Sequence, residues 1–313
     1  MQILRPPKLK KGDVIGIVSP ASTIADASKI DRGVRYLETL GYRVELGRHL
    51  LKVVGYLAGT DEERVEDLHA MFRNRHVKAI LCVRGGYGTP RILHLLDYKL
   101  IVRNPKIFAG FSDITAMELA IWRRTRLITF HGPMLAVDFA NQIEPFTEEL
   151  FWRSVTSTAG HWTLTFEGEP LPTTLVPGSA TGRLLGGNLA LVVSILGTAY
   201  QPDFGGSLFF MEDIGEEPYR VDRMLMQLRH ASVLTSVHGL LAGQFTDCAP
   251  KDATQPSLSL EEVLKETARA IEKPFLGNLP FGHVEKKLTL PVGLKARLDA
   301  GARRLEFLEP AVK

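Results

Sequence analysis

The first 130 residues of this 313-residue chain alternate between short apolar runs and amphipathic helical patterns. Val14 to Val18 is one such apolar run, and it ends at Ser19-Pro20. The stretch that follows repeats apolar residues three to four positions apart, as a helix packed on one face does. Strands that alternate with helices pair in parallel, with helices on both faces of the sheet. We therefore predict an N-terminal α/β domain with a Rossmann-like parallel sheet.

A change in composition predicts where this domain ends. Between about Asn141 and Gly178 the chain is richer in Pro, Thr, Ser and Glu, and its periodicity is weak. We predict an α/β domain over 1–150, a linker over 151–178 and a second domain over 179–313. Capping boxes, in which a Ser or Thr precedes a Glu by three positions, predict helix starts at Thr60 and Ser259.

Charge and cysteine content exclude several classes of protein. The 38 basic and 35 acidic residues give a net charge of +3, which is too balanced to indicate a nucleic-acid or membrane-surface partner. The two cysteines, Cys82 and Cys248, cannot form a disulfide framework or a zinc-finger ligand set. No apolar segment has the length of a signal peptide or a membrane span. We expect a soluble cytoplasmic protein.

The Gly110-Phe111-Ser112-Asp113 sequence is the strongest candidate for chemistry. It lies between an apolar strand and a helical pattern, at the carboxyl end of a strand, where parallel sheets bind ligands. A serine on such a tight turn is exposed as a nucleophile beside a helix N-terminus. The match to the hydrolase elbow is partial, because Ile114 replaces the final glycine. The alternative is a serine that only caps the helix.

A glycine-rich loop, Arg84-Gly85-Gly86-Tyr87-Gly88, follows the predicted strand that comes before the Ser112 strand in sequence. It lacks the Gly-Lys-Ser/Thr ending of a phosphate-binding loop, and no dinucleotide fingerprint follows the first strand. A bare backbone N–H in such a loop can approach a substrate closely and suits an oxyanion donor.

A serine nucleophile needs a base, and two of the nine histidines are candidates. His283 ends an apolar loop punctuated by glycine and proline, which can hold an imidazole rigidly. His131 follows a strand and is the rival base. The alternative for His283 is a loop histidine that bonds only to backbone.

The candidate acid is Glu212, at the end of the apolar strand Leu208 to Met211. A carboxylate there either faces a crevice or is costly to bury. Asp213 is adjacent and points the other way in an extended chain, so only one of the two faces the site. The alternative for either is a structural ion pair with Arg220 or Arg223.

These residues belong to separate motifs that together resemble one family, the serine LD-carboxypeptidases of murein recycling, whose relatives include the microcin C immunity peptidases. The resemblance runs from about Asp13 to Gly293. It rests on six motifs in the expected order: Arg84 to Gly88, Gly110 to Asp113, His131 to Met134, Gly186 to Leu189, Met211 to Asp213 with Tyr219 to Arg223, and Gly282-His283.

The resemblance implies a Ser-Glu-His triad of Ser112, Glu212 and His283. It also implies an oxyanion hole built from the backbone N–H groups of Gly86 and Asp113. Family members have a smaller, β-rich C-terminal α/β domain, need no metal or organic cofactor and are usually homodimers. The active site would close across the groove between the domains.

The implied reaction is hydrolysis of the amide between an L-configured diamino acid and a C-terminal D-residue in murein tetrapeptide. We predict Arg84, Tyr87 and Arg220 as substrate-binding residues, with the arginines at the terminal carboxylate. One alternative is an immunity-type peptidase that cleaves microcin C-like aminoacyl nucleotides with the same triad. A more distant alternative is a non-enzymatic small-molecule binding protein in which Ser112 caps a helix.

Overall fold

The first half of the chain forms a six-stranded sheet whose order fixes one ligand edge. The computed structural model describes residues 2–166, 171–252 and 254–313. Five strands pair in parallel, and a sixth pairs antiparallel to β5 at the edge. In spatial order they are β12 (Leu290–Val292), β5 (Thr129–His131), β4 (Ile107–Gly110), β3 (Val77–Cys82), β1 (Val14–Val18) and β2 (Arg43–Leu46). The strand order reverses beside β1, which places a crevice at the carboxyl ends of β1 and β3.

Helices connect these strands, and local signals set their ends. The capping box predicted at Thr60 is present, with its hydroxyl accepting from the Glu63 N–H at 3.2 Å. Gly41, with φ of +89°, follows the first helix. The helices are α1 (Ser28–Thr39), α2 (Asp61–Arg73), α3 (Thr89–Ile92), α4 (Tyr98–Arg103), α5 (Ile114–Thr125) and α6 (Pro145–Thr156), with a π-helical turn over Leu135–Phe139.

The second half builds a mixed eight-stranded sheet around a parallel centre. Its strands, in spatial order, are β6 (Trp162–Thr165), β14 (Arg304–Phe307), β13 (Lys295–Asp299), β8 (Ser179–Asn188), β9 (Leu208–Ile214), β10 (Gly239–Thr246), β11 (Phe275–Gly277) and β7 (Thr173–Val176). Its helices are α7 (Leu189–Ser194), α8 (Pro218–His230), α9 (Val233–Ser236) and α10 (Leu260–Ile271), the last starting at the capping box predicted at Ser259. The predicted fold class, a parallel-sheet α/β domain followed by a β-rich α/β domain, is confirmed.

The domain boundaries predicted from the sequence differ from the observed architecture in two places. The stretch predicted as a linker, 151–178, contains the second half of α6 and the strands β6 and β7, which close both edges of the second sheet. The late strand β12 returns to the first sheet, where Leu290 lies opposite His131. Short edge strands carry little periodicity of their own, and β12 tolerates Pro291 because it lies at an edge.

Close backbone packing joins the two sheets beside the start of α5. Gly187, at the end of β8, has φ of +140°, and a Cβ there would lie 2.5 Å from the side chain of Thr115. The Thr115 hydroxyl also accepts from the N–H of Asn188 at 3.0 Å. The second sheet therefore lies directly against the first turn of α5. In the described part of the chain, no helix combines the length and apolarity needed to cross a bilayer.

Candidate active site

Ser112 lies on a strained turn between β4 and α5. Its φ of 63° is in the left-handed region, which a non-glycine residue occupies at a cost that is typical of functional sites. Glycines on both sides make room for the turn: a Cβ on Gly110 would lie 2.9 Å from the Ile114 side chain, and one on Gly85 would lie 2.8 Å from Ser112 Cβ. The turn predicted from the sequence is present, and it presses the Gly85 backbone against the serine.

His283 and Glu212 form a hydrogen-bonded pair. His283 Nδ1 is 2.7 Å from Glu212 Oε2, and the carboxylate is fully buried while 16% of the imidazole is exposed. Gly282, with φ of +106°, permits this approach, because a Cβ there would lie 2.7 Å from the same Glu212 oxygen. Since Nδ1 faces the carboxylate, Nε2 is the nitrogen left to act on other groups.

Asp213 points to the opposite side of β9, as its position predicts. Its carboxylate accepts from Asn188 Nδ2 at 2.8 Å and from the Ala190 N–H at 2.9 Å, at the start of α7. Burial raises the pKa of Asp213 to about 6, although these hydrogen bonds favour the charged form and lower the pKa. Among the described residues, neither carboxylate pairs with Arg220 or Arg223, and Arg220 instead pairs with Glu216 at 3.7 Å.

One cavity of about 390 Å³ brings Ser112 and His283 together. Its wall is built from the segments that follow β1, β3, β4 and β5, which is the predicted ligand edge. The remaining lining residues are Ile24, Ala25, Asp26, Lys29, Arg84, Gly85, Gly86, Phe111, Met134, Ala136 and Val137. The nucleophile candidate comes from the first sheet, and the imidazole–carboxylate pair comes from the second half of the chain.

Two backbone N–H groups, on the cavity residue Gly86 and on Asp113 directly after Ser112, have no acceptor in the described part of the chain. Over residues 2–166, 171–252 and 254–313, neither the N–H of Gly86 nor that of Asp113 donates to another residue. The Asp113 side chain is turned away and accepts from the Thr89 N–H at 2.8 Å, and burial raises its pKa. This bond ties the end of the glycine-rich loop to the serine turn.

The three predicted substrate-binding residues separate in space. Arg84 lines the cavity and donates to the Thr23 carbonyl at 3.4 Å. Tyr87 is exposed outside it, with its ring 5.3 Å from that of Tyr56. Arg220 is also outside the cavity, on the surface of α8.

Lys29 is a cavity residue that the sequence reasoning missed. It lies in the first turn of α1, close behind the carboxyl end of β1. Asp26 lines the same wall, but its carboxylate is engaged by Ser28 at 2.5 Å and by Arg32 at 3.5 Å. The signal that could have found Lys29 was position, because the loop after the first strand borders the crevice of such sheets.

The rival base, His131, is sealed in the interior. It is 1% exposed, does not line the cavity and lies 3.4 Å from Glu118 Oε2 on α5. Burial raises the pKa of the Glu118 carboxyl to about 7, and the neighbouring His131 opposes the rise.

Comparisons with known proteins identify the family of this chain. Residues 15–132 match the LD-carboxypeptidase N-terminal domain and residues 181–298 match the LD-carboxypeptidase C-terminal domain. The chain is thus a serine-type carboxypeptidase. It belongs to the LD-carboxypeptidase family.

Named relatives cover nearly the whole chain. A probable murein peptide carboxypeptidase of Bacillus subtilis is 44% identical over 98% of this chain and 95% of its own length. The murein tetrapeptide carboxypeptidase of Pseudomonas aeruginosa is 34% identical over 93% of this chain and 94% of its own.

Solved structures share the two-domain fold. The muramoyltetrapeptide carboxypeptidase of Oxalobacter formigenes superposes with a TM-score of 0.83 at 32% identity, covering 94% of this chain and 97% of that one. The microcin self-immunity protein MccF, solved in complex with aspartyl sulfamoyl adenosine, gives 0.89 at 28% identity, covering 99% of this chain and 100% of that one.

Proposed function

We propose that this chain hydrolyses the amide between the L-centre of a diamino acid and a C-terminal D-amino acid in murein tetrapeptides. Ser112 is the nucleophile, His283 the general base and Glu212 the orienting acid. The observation that carries the proposal is the shared cavity, which Ser112 and His283 both line while Glu212 holds His283 from behind. The names of the Bacillus and Pseudomonas relatives support murein peptide as the substrate class.

The first chemical step forms an ester on the serine. Ser112 Oγ attacks the amide carbonyl while His283 Nε2 takes the hydroxyl proton. Glu212 accepts from Nδ1–H, which fixes the tautomer and stabilises the imidazolium. The free N–H groups of Gly86 and Asp113 receive the oxyanion of the tetrahedral intermediate. Each such donor contributes about 3–4 kcal/mol in a comparable hydrolase.

The second step releases the products. The imidazolium gives its proton to the leaving amine of the D-residue, which departs and leaves the acyl-enzyme. Water, deprotonated by His283, then attacks the ester carbonyl and frees Ser112. The cycle returns the proton to its starting point, so the chain's own residues complete it.

The cavity also supplies charge for the substrate's carboxylates. Arg84 and Lys29 line it, and the one acidic residue in its wall, Asp26, is already engaged by Arg32. A cationic wall favours a peptide that ends in a free carboxylate. The homodimer implied by the resemblance and the cytoplasmic location expected from the sequence stay predictions.

A second candidate substrate is a microcin C-like aminoacyl nucleotide, since MccF was solved in complex with the related aspartyl sulfamoyl adenosine. The similarity in fold supports it, since the TM-score with MccF is at least as high as that with the muramoyltetrapeptide carboxypeptidase. The sequence similarity favours murein peptide, because the Bacillus relative reaches 44% identity. The non-enzymatic binding protein is set aside, because the chain belongs to a carboxypeptidase family.

The deciding experiment is product analysis with both substrate classes. The purified chain is incubated with murein tetrapeptide and, separately, with aspartyl sulfamoyl adenosine, and products are identified by mass spectrometry. We expect released D-alanine from the tetrapeptide, and a loss of at least about 10³-fold in Ser112→Ala. Cleavage of the nucleotide alone would transfer the proposal to the immunity-type reaction. A Ser112→Ala variant with normal turnover would refute the nucleophile.

A further inference from the structure

The segment directly after His283, residues 284–288, is fastened to the first half of the chain. Thr147, on α6, is fully buried and donates from its hydroxyl to the carbonyl of Glu285 at 2.8 Å. The same hydroxyl accepts from the N–H of Lys287 at 2.7 Å. One threonine thus bonds twice to this segment, within four residues of the imidazole.

An ion pair strengthens the attachment. Lys287 Nζ is bonded to Asp138 Oδ1, and the two side chains are 4% and 7% exposed. The other oxygen of Asp138 accepts from the N–H of Met134 at 2.8 Å. Met134 lines the cavity, so the pair ties the histidine segment to the cavity wall.

The same ammonium reaches the nucleophile turn through an aromatic ring. Lys287 Nζ lies 4.4 Å from the ring centroid of Phe111, the residue before Ser112. The Phe111 ring also meets the His283 ring edge-on, with centroids 5.1 Å apart and planes at 67°. Phe111 therefore contacts both the anchor and the base.

A buried ion pair of this kind is poorly explained by stability alone. Desolvating both charges offsets much of their attraction, and apolar replacements are often as stable. What the pair supplies is a fixed position. His283 follows a glycine and is otherwise held by Glu212 and by the Thr246 hydroxyl, which both come from the same half of the chain. Nothing in the imidazole–carboxylate bond sets its position relative to Ser112.

We propose that Lys287, paired with Asp138, is a positioning residue that fixes His283 and Phe111 against Ser112. The inference rests on the proposed roles of Ser112 and His283. Misplacement of a catalytic group by about 1 Å lowers turnover by about 10²-fold, so loss of this anchor acts on kcat. Binding of substrate is left nearly intact, because Lys287 does not line the cavity.

The test separates positioning from folding with matched variants. Lys287→Met leaves Asp138 charged and unpaired, and we expect a lower Tm and a fall of about 10- to 100-fold in kcat with KM little changed. Lys287→Met combined with Asp138→Asn removes both charges and keeps an acceptor for the Met134 N–H. We expect this double variant to regain most of the Tm but not the kcat. Lys287→Arg retains the charge and partly rescues kcat.

Lys286→Met is the control, because it makes the same change one residue away on an exposed side chain, and its kcat should equal the wild type. A double variant whose kcat recovers together with its Tm would overturn the proposal, as would a folded Lys287→Met with normal kcat.

A second readout separates this inference from the substrate assignment. The labelling rate of Ser112 by a fluorophosphonate probe does not depend on which peptide is cleaved. If tetrapeptide is not hydrolysed but Lys287→Met still slows labelling about tenfold or more, the substrate proposal fails and the positioning role stands. Equal labelling rates in the wild type and in folded Lys287→Met contradict the positioning role.

Discussion

Two histidine–carboxylate pairs contact the ring of Phe111, and they differ in access. His283 Nδ1 is 2.7 Å from Glu212, and the imidazole opens onto the cavity. His131 is 3.4 Å from Glu118, and both side chains are almost fully enclosed. The Phe111 ring centroid is 5.1 Å from that of His283 and 6.2 Å from that of His131.

The difference shows that residue chemistry alone does not define a catalytic pair. His131 ends the strand β5 and His283 ends an apolar loop, and both have a glutamate partner. Of the two, His283 lines the cavity that Ser112 also lines, and His131 does not. In the enclosed pair of His131 and Glu118, burial is the largest influence on the Glu118 carboxyl and raises its pKa. This pair therefore affects the pH dependence of stability.

The largest test of this comparison replaces the two histidines in turn. His283→Gln removes the proposed base, and we expect kcat to fall by at least about 10³-fold. His131→Gln should retain most of the activity, since His131 does not reach the cavity. Rates are normalised to folded protein by circular dichroism, because the interior variant also loses a buried partner. Equal losses in the two variants would erase the distinction between the pairs.

A second prediction uses the pH dependence of stability. The folded chain keeps a proton on Glu118 up to pH about 7, whereas the ordinary value of 4.5 applies to the unfolded chain. Between these values the folded state holds more protons, so stability falls as pH rises, by up to a few kcal/mol. Glu118→Gln should flatten the fall in Tm between pH 5 and 7.5.

Some fall remains in that variant, because burial also raises the pKa of Asp213 to about 6. Glu149→Gln, on the exposed face of α6, is the control and should keep the wild-type slope. An unchanged slope in Glu118→Gln would mean that the enclosed pair does not take up this proton.

The prediction with the smallest expected effect compares two arginines that differ in their access to the cavity. Arg84 lines the cavity and Arg220 does not. Arg84→Met should raise KM for a peptide with a free terminal carboxylate by about tenfold, as the loss of a charged hydrogen bond does. Arg220→Met should leave KM unchanged. The measurement is steady-state kinetics with the free acid and its C-terminal amide, and a loss confined to Arg220→Met would reverse the assignment.

Local signals predict two geometric features of the candidate site. The turn at Ser112 follows from a strand, two small residues and a helix in sequence, and the opposite directions of Glu212 and Asp213 follow from extended geometry. Lys29 was missed, and Tyr87 and Arg220 were predicted at the site but lie outside the cavity. Those outcomes depend on how distant segments pack, which periodicity in one segment does not encode.

The same reason explains the differences in the fold. The strands β6 and β7 are four residues each and lie in a stretch with weak periodicity. The three-residue strand β12 pairs with β5 across more than 150 positions of chain. These short strands can be assigned to a sheet only once the strands with which they pair are known.

The return of β12 to the first sheet bears on how such proteins can be recombined. A chimera that joins the N-terminal half of one relative to the C-terminal half of another also imports the edge strand of the recipient's first sheet. Leu290 and Val292 must then fit a foreign β5, a few residues beyond the imported histidine. Compatibility between halves is thus set by an interface that a boundary drawn along the sequence would cut through.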